Sequence, residues 1–454
     1  MSRFDRVILA VVLGLGLTVG ALSVASATLG PTVDSMTAAE ALDGTSVNTQ
    51  IGITFTEPMS IKSVEQNFHI RPAVQGDFTW TGNELFYIPR RSLKYSTSYT
   101  VSIGSRAQGR SNRHLSRAFR GTFTTQKEHL LFLGSEGAER GHLVLASIGG
   151  KRTIVGNGEV TDFSLSVDRS LAVYVRRGAA GERPDELWLL SLADGSTQRI
   201  FRRADWTMSQ PHFSPDGRLL VFLATNVLLC QKYYGCYRDR TGPVVYLFDL
   251  RSRKAYAFSA GSDVPLTNFI DFSPAGQIAY TDLGSALTLA NPNGTHLLHI
   301  PDRGNSLEFA GFDRTGAKAA FVGQTPDSSG GDILIYTGGK YVDVSRGVYD
   351  SSVPAFSSSG KEVAYAAYRG ELGIEPVYGI NIYDFSSRRT YHLTAEREWS
   401  DWSPECSGDG QYIAFIRSQP QEAMYMGSGE IWVVKTDGTD ARPLGVVGSN
   451  PQWV

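Results

Sequence analysis

The chain has 454 residues, of which 41% are hydrophobic and 19% charged, so it is neither disordered nor fibrous and is long enough for two or more globular domains. Its formal net charge of −2 and its pI near 6.5 argue against a nucleic-acid partner, because such proteins carry a basic surface. The 48 glycines and 20 tyrosines, with turn signals about every ten residues, predict an all-β fold.

The first predicted element is an apolar segment. Val7 to Ala27 is an unbroken run of apolar and small residues, about as long as the ~20 residues that cross a bilayer. It predicts a transmembrane signal anchor within residues 1–27. The alternative is a cleaved signal peptide, which is favoured by Ala25 and Ala27 in an A-x-A arrangement.

Charges around this segment predict its orientation. Arg3 and Arg6 precede it, and no Lys or Arg follows until Lys62. The positive-inside rule therefore places the bulk of the protein outside the cytoplasm. We expect a single-pass cell-membrane protein, or a secreted one if the segment is cleaved. Residues 28–47, rich in Thr, Ser, Ala and Gly, predict a linker.

The next region, residues 48–126, contains short segments of alternating polarity separated by Gly, Pro and Asn. Examples are "TQIGITFTE", "ELFYIP" and "TSYTVSIG". Alternation at period two buries one face of each strand, so the region predicts a small β-sandwich. The phrases "ITFTEPMS", "LFYIPRRSLKYSTSYTVSIG" and "GTFTT" resemble, in order, bacterial Ig-like domains of the SbsA type. That resemblance implies a spacer or presentation module without catalytic residues.

Residues 127–454 repeat a turn phrase such as "FSPDGRLLVFL" or "CSGDGQYIAFI" at steps of 48, 59, 40, 44 and 50 residues. Periods near ~40–50 with several short strands each predict a β-propeller. The equivalent turn positions are Asp168, Asp216, Ala275, Thr315, Ser359 and Asp409.

The two ends of the repeat region predict how the ring closes. Ser449–Val454 begins like the first strand of a repeat, whereas His129–Gly156 supplies a second, third and fourth strand. Pairing of the two would remove an exposed strand edge. This count gives seven blades, or six if the short unit "YTDLGSALTLANPNGTHLLHI" is not independent.

The repeats resemble TolB-like propellers, through "HFSPDGRLLVF" and through "CSGDGQYIAFI" followed by "EIWVVKTDGTDARPLG". The resemblance implies the fold strongly and the function weakly, since such propellers act mostly as protein-binding scaffolds and some precede a hydrolase domain in peptidases. No hydrolase domain follows the repeats here, so we do not expect a peptidase.

Chemical motifs are sparse. Asp216 and Asp409 are predicted to cap turns rather than to bind metal, and His296 and His299 should point to opposite faces of a strand. We find no HExxH, G-x-S-x-G or Walker motif and expect no cofactor and no metal. Cys230 and Cys236 are predicted to form a local disulfide outside the cytoplasm, which leaves Cys406 free.

The long insertions fall between the second and third strands of the repeats and should converge on one face, together with the connections between repeats. Aromatic residues in these segments predict a recognition surface; the alternative is that they pack locally at the loop bases. The candidate binding residues are Trp206, Tyr233, Tyr234, Tyr378, Trp399 and Tyr425.

Two functions remain open from the sequence. The first is a membrane-anchored extracytoplasmic binding or scaffold protein whose propeller recognises a protein or glycan of the bacterial cell envelope. The alternative is a propeller enzyme, a carbohydrate lyase or hydrolase, with a site of His, Arg and carboxylates in the central channel. The identity of the ligand, the oligomeric state and cleavage of residues 1–27 are not specified by the sequence.

Overall fold

The structure is a computed structural model, and it divides the chain into two compact units. The first comprises residues up to 39, 49–90 and 97–124, and the second comprises residues 40–48, 91–96 and 125–454. The residues that the structure describes are 30–41, 43–178, 185–226, 243–259, 269–282, 285–302, 307–324, 330–346, 350–394, 396–420 and 427–454.

Nine strands and one helix precede residue 125. They are β1 (Val33–Thr37), β2 (Glu40–Ala41), β3 (Gly44–Thr45), β4 (Ile51–Phe55), α1 (Ile61–Asn67), β5 (Phe68–Arg71), β6 (Gly76–Thr81), β7 (Glu84–Pro89), β8 (Ser98–Ile103) and β9 (Phe119–Thr124).

The first unit consists of two antiparallel sheets, ordered β1-β4-β7-β6 and β5-β8-β9. Their alternating apolar residues are buried, as in Ile51 and Ile53 of β4 and Val101 of β8, which is the pattern expected of a β-sandwich. Phe68 and Tyr87 lie 4.8 Å apart between ring centroids and join one sheet to the other. The predicted sandwich is therefore present.

Residues 28–47, predicted as a linker, carry three strands instead. β1 pairs with β4 of the first unit, and β2 pairs with β3 in the second unit. The Thr- and Ser-rich composition resembles a linker, but these residue types also suit strands whose hydrogen-bond partners lie far away in the chain.

Twenty-seven strands follow. They are β10 (His129–Gly134), β11 (Leu143–Ser147), β12 (Arg152–Val155), β13 (Val160–Leu165), β14 (Leu171–Arg176), β15 (Glu186–Ser191), β16 (Thr197–Arg202), β17 (Trp206–Phe213), β18 (Leu219–Asn226), β19 (Val244–Asp249), β20 (Lys254–Ala257), β21 (Ile270–Phe272), β22 (Ile278–Asp282), β23 (Ser285–Ala290), β24 (His296–Pro301), β25 (Glu308–Phe312), β26 (Ala319–Gly323), β27 (Asp332–Thr337), β28 (Lys340–Asp343), β29 (Ser351–Phe356), β30 (Glu362–Leu372), β31 (Glu375–Asp384), β32 (Arg389–His392), β33 (Ser400–Cys406), β34 (Tyr412–Ser418), β35 (Gly429–Lys435) and β36 (Arg442–Trp453). A 3₁₀-helix, Gly137–Glu139, lies between β10 and β11.

From β13 to β32 the strands form five successive four-stranded antiparallel sheets, each in chain order. This succession is β-propeller architecture. The short unit that the sequence left in doubt forms its own sheet, β21-β22-β23-β24. Its strands are paired in succession, with register shifts between β22 and β23 and between β23 and β24.

The remaining strands form a seven-stranded sheet, ordered β12-β11-β10-β36-β35-β34-β33. β36 is shared between two partners: Arg442 to Gly448 pairs with β35, and Gly448 to Trp453 pairs with β10. The pairing between the C-terminal strand and the strand near Leu131 that the sequence predicted is present, with Gln452 opposite Leu131.

Clusters of buried apolar side chains fill the spaces between successive sheets. Val173 of β14, for example, packs with Met208 and Phe222 of the following sheet, and corresponding clusters join each later pair. Burial of such side chains contributes roughly 1.5–3 kcal/mol each. The packing between sheets is therefore a main source of stability.

Two further clusters flank the end of β36. Val454 packs with Leu131 against the sheet that contains Tyr174. Trp453 packs on the other side, with Ile431 and Val433 of β35. The last two residues therefore contribute to the packing on both sides of β10.

The repeated turns have the conformation that the sequence predicted. Asp216 accepts hydrogen bonds from the hydroxyl of Ser214 at 2.6 Å and from the backbone N–H of Arg218 at 3.1 Å. Asp409 does the same with Ser407 and Gln411. The prediction that these aspartates cap turns is confirmed, and the hydrogen bonds lower the pKa of Asp216.

No helix among the described residues has the length and apolarity needed to span a membrane. The apolar segment Val7 to Ala27 lies outside those residues.

Candidate functional site

The aromatic residues predicted to bind a partner are partly described. Trp206, at the start of β17, packs perpendicular to Tyr246 at 5.2 Å between ring centroids, and the Arg203 guanidinium lies 4.3 Å from its ring centre. It therefore makes local packing contacts, as the alternative interpretation proposed. Tyr233, Tyr234, Tyr425, Cys230 and Cys236 lie outside the described residues.

Tyr378 and Trp399 lie near each other, on neighbouring sheets. The backbone N–H of Tyr378 donates to the Ser400 hydroxyl at 3.2 Å, and the Tyr378 hydroxyl donates to Asp350 at 2.6 Å. Trp399 is 38% exposed. Tyr378 is thus bonded to the residue that follows Trp399, whereas Trp206 lies on the separate sheet β17–β20.

Tyr378 belongs to an arm that extends from its sheet. In the sheet β29–β32, β29 pairs with β30 only as far as Ala367, and β32 pairs with β31 only from Asn381 onward. The segments between form a two-stranded ribbon that ends in a two-residue turn between Leu372 and Glu375. We call residues 368–379 the β30–β31 arm.

The tip of this arm is apolar. Ile374 is 88% exposed and Leu372 is 42% exposed, on a turn that Gly373 permits through its φ of +71°. Single exposed apolar residues are common on protein surfaces. Two of them together at the tip of a ribbon form an exposed apolar patch, which lowers solubility unless a partner covers it. This feature favours a protein-contact role for the arm.

A second candidate site is a cavity of about 410 Å³ within the second unit, which we call the channel cavity. Its walls come from β13, β25, β29, β33 and β36, from the turns that follow some of these strands, and from residues 48, 92 and 95. The volume falls within the ~300–1,000 Å³ of small-molecule sites.

Three charged side chains line the channel cavity: Arg169, Arg314 and Glu405. Arg314 donates to the Ser92 hydroxyl at 2.7 Å and to Asn48 Oδ1 at 3.4 Å. Burial and then the nearby Arg169 lower the pKa of Arg314. The two arginines therefore repel each other across a partly dehydrated space.

Glu405 is positioned by a bulge in β33, at which the pairing with β34 shifts between Trp402 and Glu405. Ser403 has a φ of +52° there, and Pro404 follows. The Trp453 ring nitrogen donates to the Glu405 carbonyl at 2.9 Å. Burial raises the pKa of the Glu405 carboxyl to about 7, although Arg169 opposes the shift.

The same feature, a residue of positive φ before a proline at a shift of the strand register, recurs in three other strands. These pairs are Gln210–Pro211, Val353–Pro354, Ser403–Pro404 and Asn450–Pro451. The residue after the proline is His212, Ala355 or Gln452 in the other three pairs, and it is the acidic Glu405 in this one. This difference was a sequence signal for Glu405, which the predicted site residues did not include. Among the described residues, no group of three or more His, Cys, Asp or Glu side chains could hold a metal ion.

Replacing Glu405 with glutamine should change the pH dependence of stability. Because the pKa of Glu405 is about 7 in the fold and near 4.5 when unfolded, its favourable contribution is present below pH 4.5 and is lost as the pH rises towards 7. Glu405→Gln should thus unfold like the parent at pH 4 and be about 2–3 kcal/mol more stable at pH 8.

Urea denaturation at pH 4, 6 and 8 measures this difference. Glu308→Gln, on the exposed side of β25, is the matched control and should show no pH-dependent gain. If Glu405→Gln raised the free energy of unfolding equally at all three pH values, the raised pKa of Glu405 would be contradicted.

Comparison with known proteins identifies one region by family. Residues 27–125 match the model of the bacterial Ig-like domain, so the resemblance predicted for this region is confirmed, with an earlier start than residue 48. No curated protein matches the chain.

Several solved structures are similar to the chain. TolB from Acinetobacter baumannii is 14% identical, with 85% of this chain and 82% of that chain covered and a TM-score of 0.41. The β-propeller domain of the Trilobed protease from Pyrococcus furiosus is 11% identical, with 77% and 93% covered and a TM-score of 0.43. Oligogalacturonate lyase from Vibrio parahaemolyticus is 12% identical, with 61% and 79% covered and a TM-score of 0.46.

Proposed function

We propose that the protein is a membrane-anchored, extracytoplasmic binding protein of the bacterial cell envelope, whose propeller recognises a partner. The bacterial Ig-like region and the apolar segment after Arg3 and Arg6 support this location. We further propose that the seven-stranded sheet supplies two blades, so that the propeller has seven and is closed by β36.

The exposed tip of the β30–β31 arm is the observation on which the binding role rests. It projects from the side where the second strand of a blade connects to the third, which is the side that the sequence predicted for recognition. Because Leu372 and Ile374 are aliphatic, the tip suits an apolar recess on a protein better than a glycan, whose recognition uses aromatic and polar groups.

Photo-crosslinking tests this proposal. A photoreactive amino acid at position 374 should crosslink one envelope protein in intact cells, whereas the same group at Tyr391, which is 51% exposed on β32 of the same sheet, should not. Ile374→Ser should then weaken binding of the purified partner by about tenfold without changing the melting temperature.

Two results would contradict the proposal. One is equal crosslinking at positions 374 and 391, and the other is unchanged partner affinity in Ile374→Ser combined with Leu372→Ser. Crosslinking only from position 233 or 234 would move the recognition surface to the insertion between β18 and β19.

The alternative, a propeller enzyme, is favoured by one observation, namely that Glu405 and two arginines share the channel cavity. An acid with a pKa near 7 is suited to general acid–base catalysis at neutral pH. Turnover of uronic-acid oligosaccharides that disappears in Glu405→Gln would support it over the binding role.

A further inference from the structure

We propose that the channel cavity is a binding site for a small organic carboxylate, a molecule with one anionic end and a short apolar body. The inference does not depend on the partner bound by the β30–β31 arm. It follows from the charges, the walls and the size of the cavity.

The charges select an anion. Arg169 and Arg314 face the same cavity as Glu405, and neither arginine forms an ion pair with a carboxylate among the described residues. Arg314 is held by Ser92 and Asn48, which are neutral. Guanidinium groups bind carboxylates through two parallel hydrogen bonds, more strongly when water is partly excluded. An anion would relieve the repulsion between the two arginines.

The walls select an apolar body. The cavity surface between the charged groups includes Leu165, Phe312, Phe356 and Trp453. An inorganic anion would leave these side chains against water, whereas a short hydrocarbon chain would bury them at roughly 25 cal/mol per Å². Val167 is 53% exposed at the edge of the cavity, so the cavity is open to ligands from solvent.

Glu405 makes the site sensitive to pH. The other titratable or charged groups that line the cavity are Arg169, Arg314, Tyr95 and Cys406, and of these Arg169 acts on the Glu405 carboxyl. Burial raises the pKa of both Tyr95 and Cys406, so they stay neutral near pH 7 and only Glu405 changes charge. Protonated Glu405 leaves two positive charges and can donate a hydrogen bond to the ligand, whereas ionised Glu405 repels it.

Isothermal titration calorimetry of the full chain at pH 6, with butyrate as the probe, tests the proposal. We expect a dissociation constant on the order of 1 mM, as suits a ligand of six heavy atoms. Butanol, which lacks the charge, and inorganic phosphate, which lacks the apolar body, should each bind at least about tenfold more weakly.

Variants separate the site from other surfaces. Arg169→Gln should weaken butyrate binding by about tenfold or more. Arg253→Gln is the matched control, because Arg253 has nearly the same φ, 58° against 59°, and is exposed on the turn between β19 and β20. Raising the pH from 6 to 8 should weaken binding about fivefold in the parent and not in Glu405→Gln.

Each result decides the proposal. Absence of butyrate binding up to 50 times the expected ~1 mM, retained binding in Arg169→Gln, or equal binding of butanol would overturn it. If phosphate bound as tightly as butyrate, the proposed recognition of an apolar body would be overturned, and the cavity would be a site for oxyanions in general. Unchanged melting temperatures of Arg169→Gln and Arg253→Gln show that a lost affinity is not a lost fold.

Discussion

Replacing Trp453 with alanine is expected to lower the free energy of unfolding of the second unit by about 3–5 kcal/mol, the range found when large aromatic side chains are removed from cores. Trp453 is 2% exposed, and it packs with Leu130 and Val433 in one cluster. Its neighbour Val454 is fully buried in the next cluster. Urea denaturation followed by circular dichroism measures the effect.

The size of this effect follows from the position of Trp453 at the junction of β10 and β35. Its ring lies 6.2 Å from that of Tyr412 and 6.5 Å from that of Tyr95. Its loss would open a cavity between strands that are joined through β36 alone. Deletion of residues 449–454 should therefore be more harmful than the point substitution, because β10 would also lose most of its pairing with β36 and keep only its pairing with β11.

Two variants serve as controls. Trp453→Phe keeps most of the packing but loses the hydrogen bond to the Glu405 carbonyl, so it should cost about 1–2 kcal/mol. Trp399→Ala removes a tryptophan that is 38% exposed. It should lower the free energy of unfolding by less than Trp453→Ala does. A chain without residues 449–454 that is as stable as the parent would contradict closure through β36.

The pairing of β36 with β10 was predictable because a repeat makes distant residues comparable. "SNPQWV" has the same x-Pro step as "SQPHF" and "SVPAF", and the strand register shifts at all three, within β36, β17 and β29. The Ser-x-Asp-Gly turns were predictable for a related reason. Their hydrogen bonds are local, so the short sequence contains both partners.

The parts that were missed depend on distant contacts. Residues 40–48 and 91–96 lie in the second unit, although they are close in sequence to strands of the first. Their composition does not distinguish the two environments. Glu405 was missed because the x-Pro phrase before it marks its position but does not reveal the burial that raises its pKa.

Only part of the predicted recognition surface could be located from residue type. The sequence placed the connections between second and third strands on one side, and the β30–β31 arm is such a connection. In the structure the hydroxyl of the predicted Tyr378 donates to Asp350, and its role in binding stays a prediction. The exposure of Ile374 is decided by three-dimensional packing, so residue type alone did not locate it.

Replacing Arg417 with methionine is expected to cost about 3–5 kcal/mol, because it leaves a carboxylate buried without its cation. Arg417 and Asp401 face each other across β33 and β34 and are 5% and 1% exposed. The guanidinium donates two hydrogen bonds to Asp401, at 2.7 and 2.8 Å, and lies 4.3 Å from the Trp432 ring centre.

The pH dependence of this variant identifies the cause. Burial already raises the pKa of Asp401, and Arg417 opposes that shift, so removal of Arg417 raises the pKa further. A raised pKa in the fold gives stability at low pH that is lost as the pH rises. The deficit of Arg417→Met should therefore be smaller at pH 5 than at pH 8.

Two comparisons separate a buried charge from lost packing. Arg218→Met breaks the ion pair between Arg218 and Asp249, in which the Arg218 side chain is 64% exposed. This substitution should cost about 0–1 kcal/mol. Combining Arg417→Met with Asp401→Leu should recover most of the loss, since two apolar groups tolerate burial that one unpaired carboxylate does not. A double variant as unstable as the single one, with no dependence on pH, would show that packing around the guanidinium matters and its charge does not.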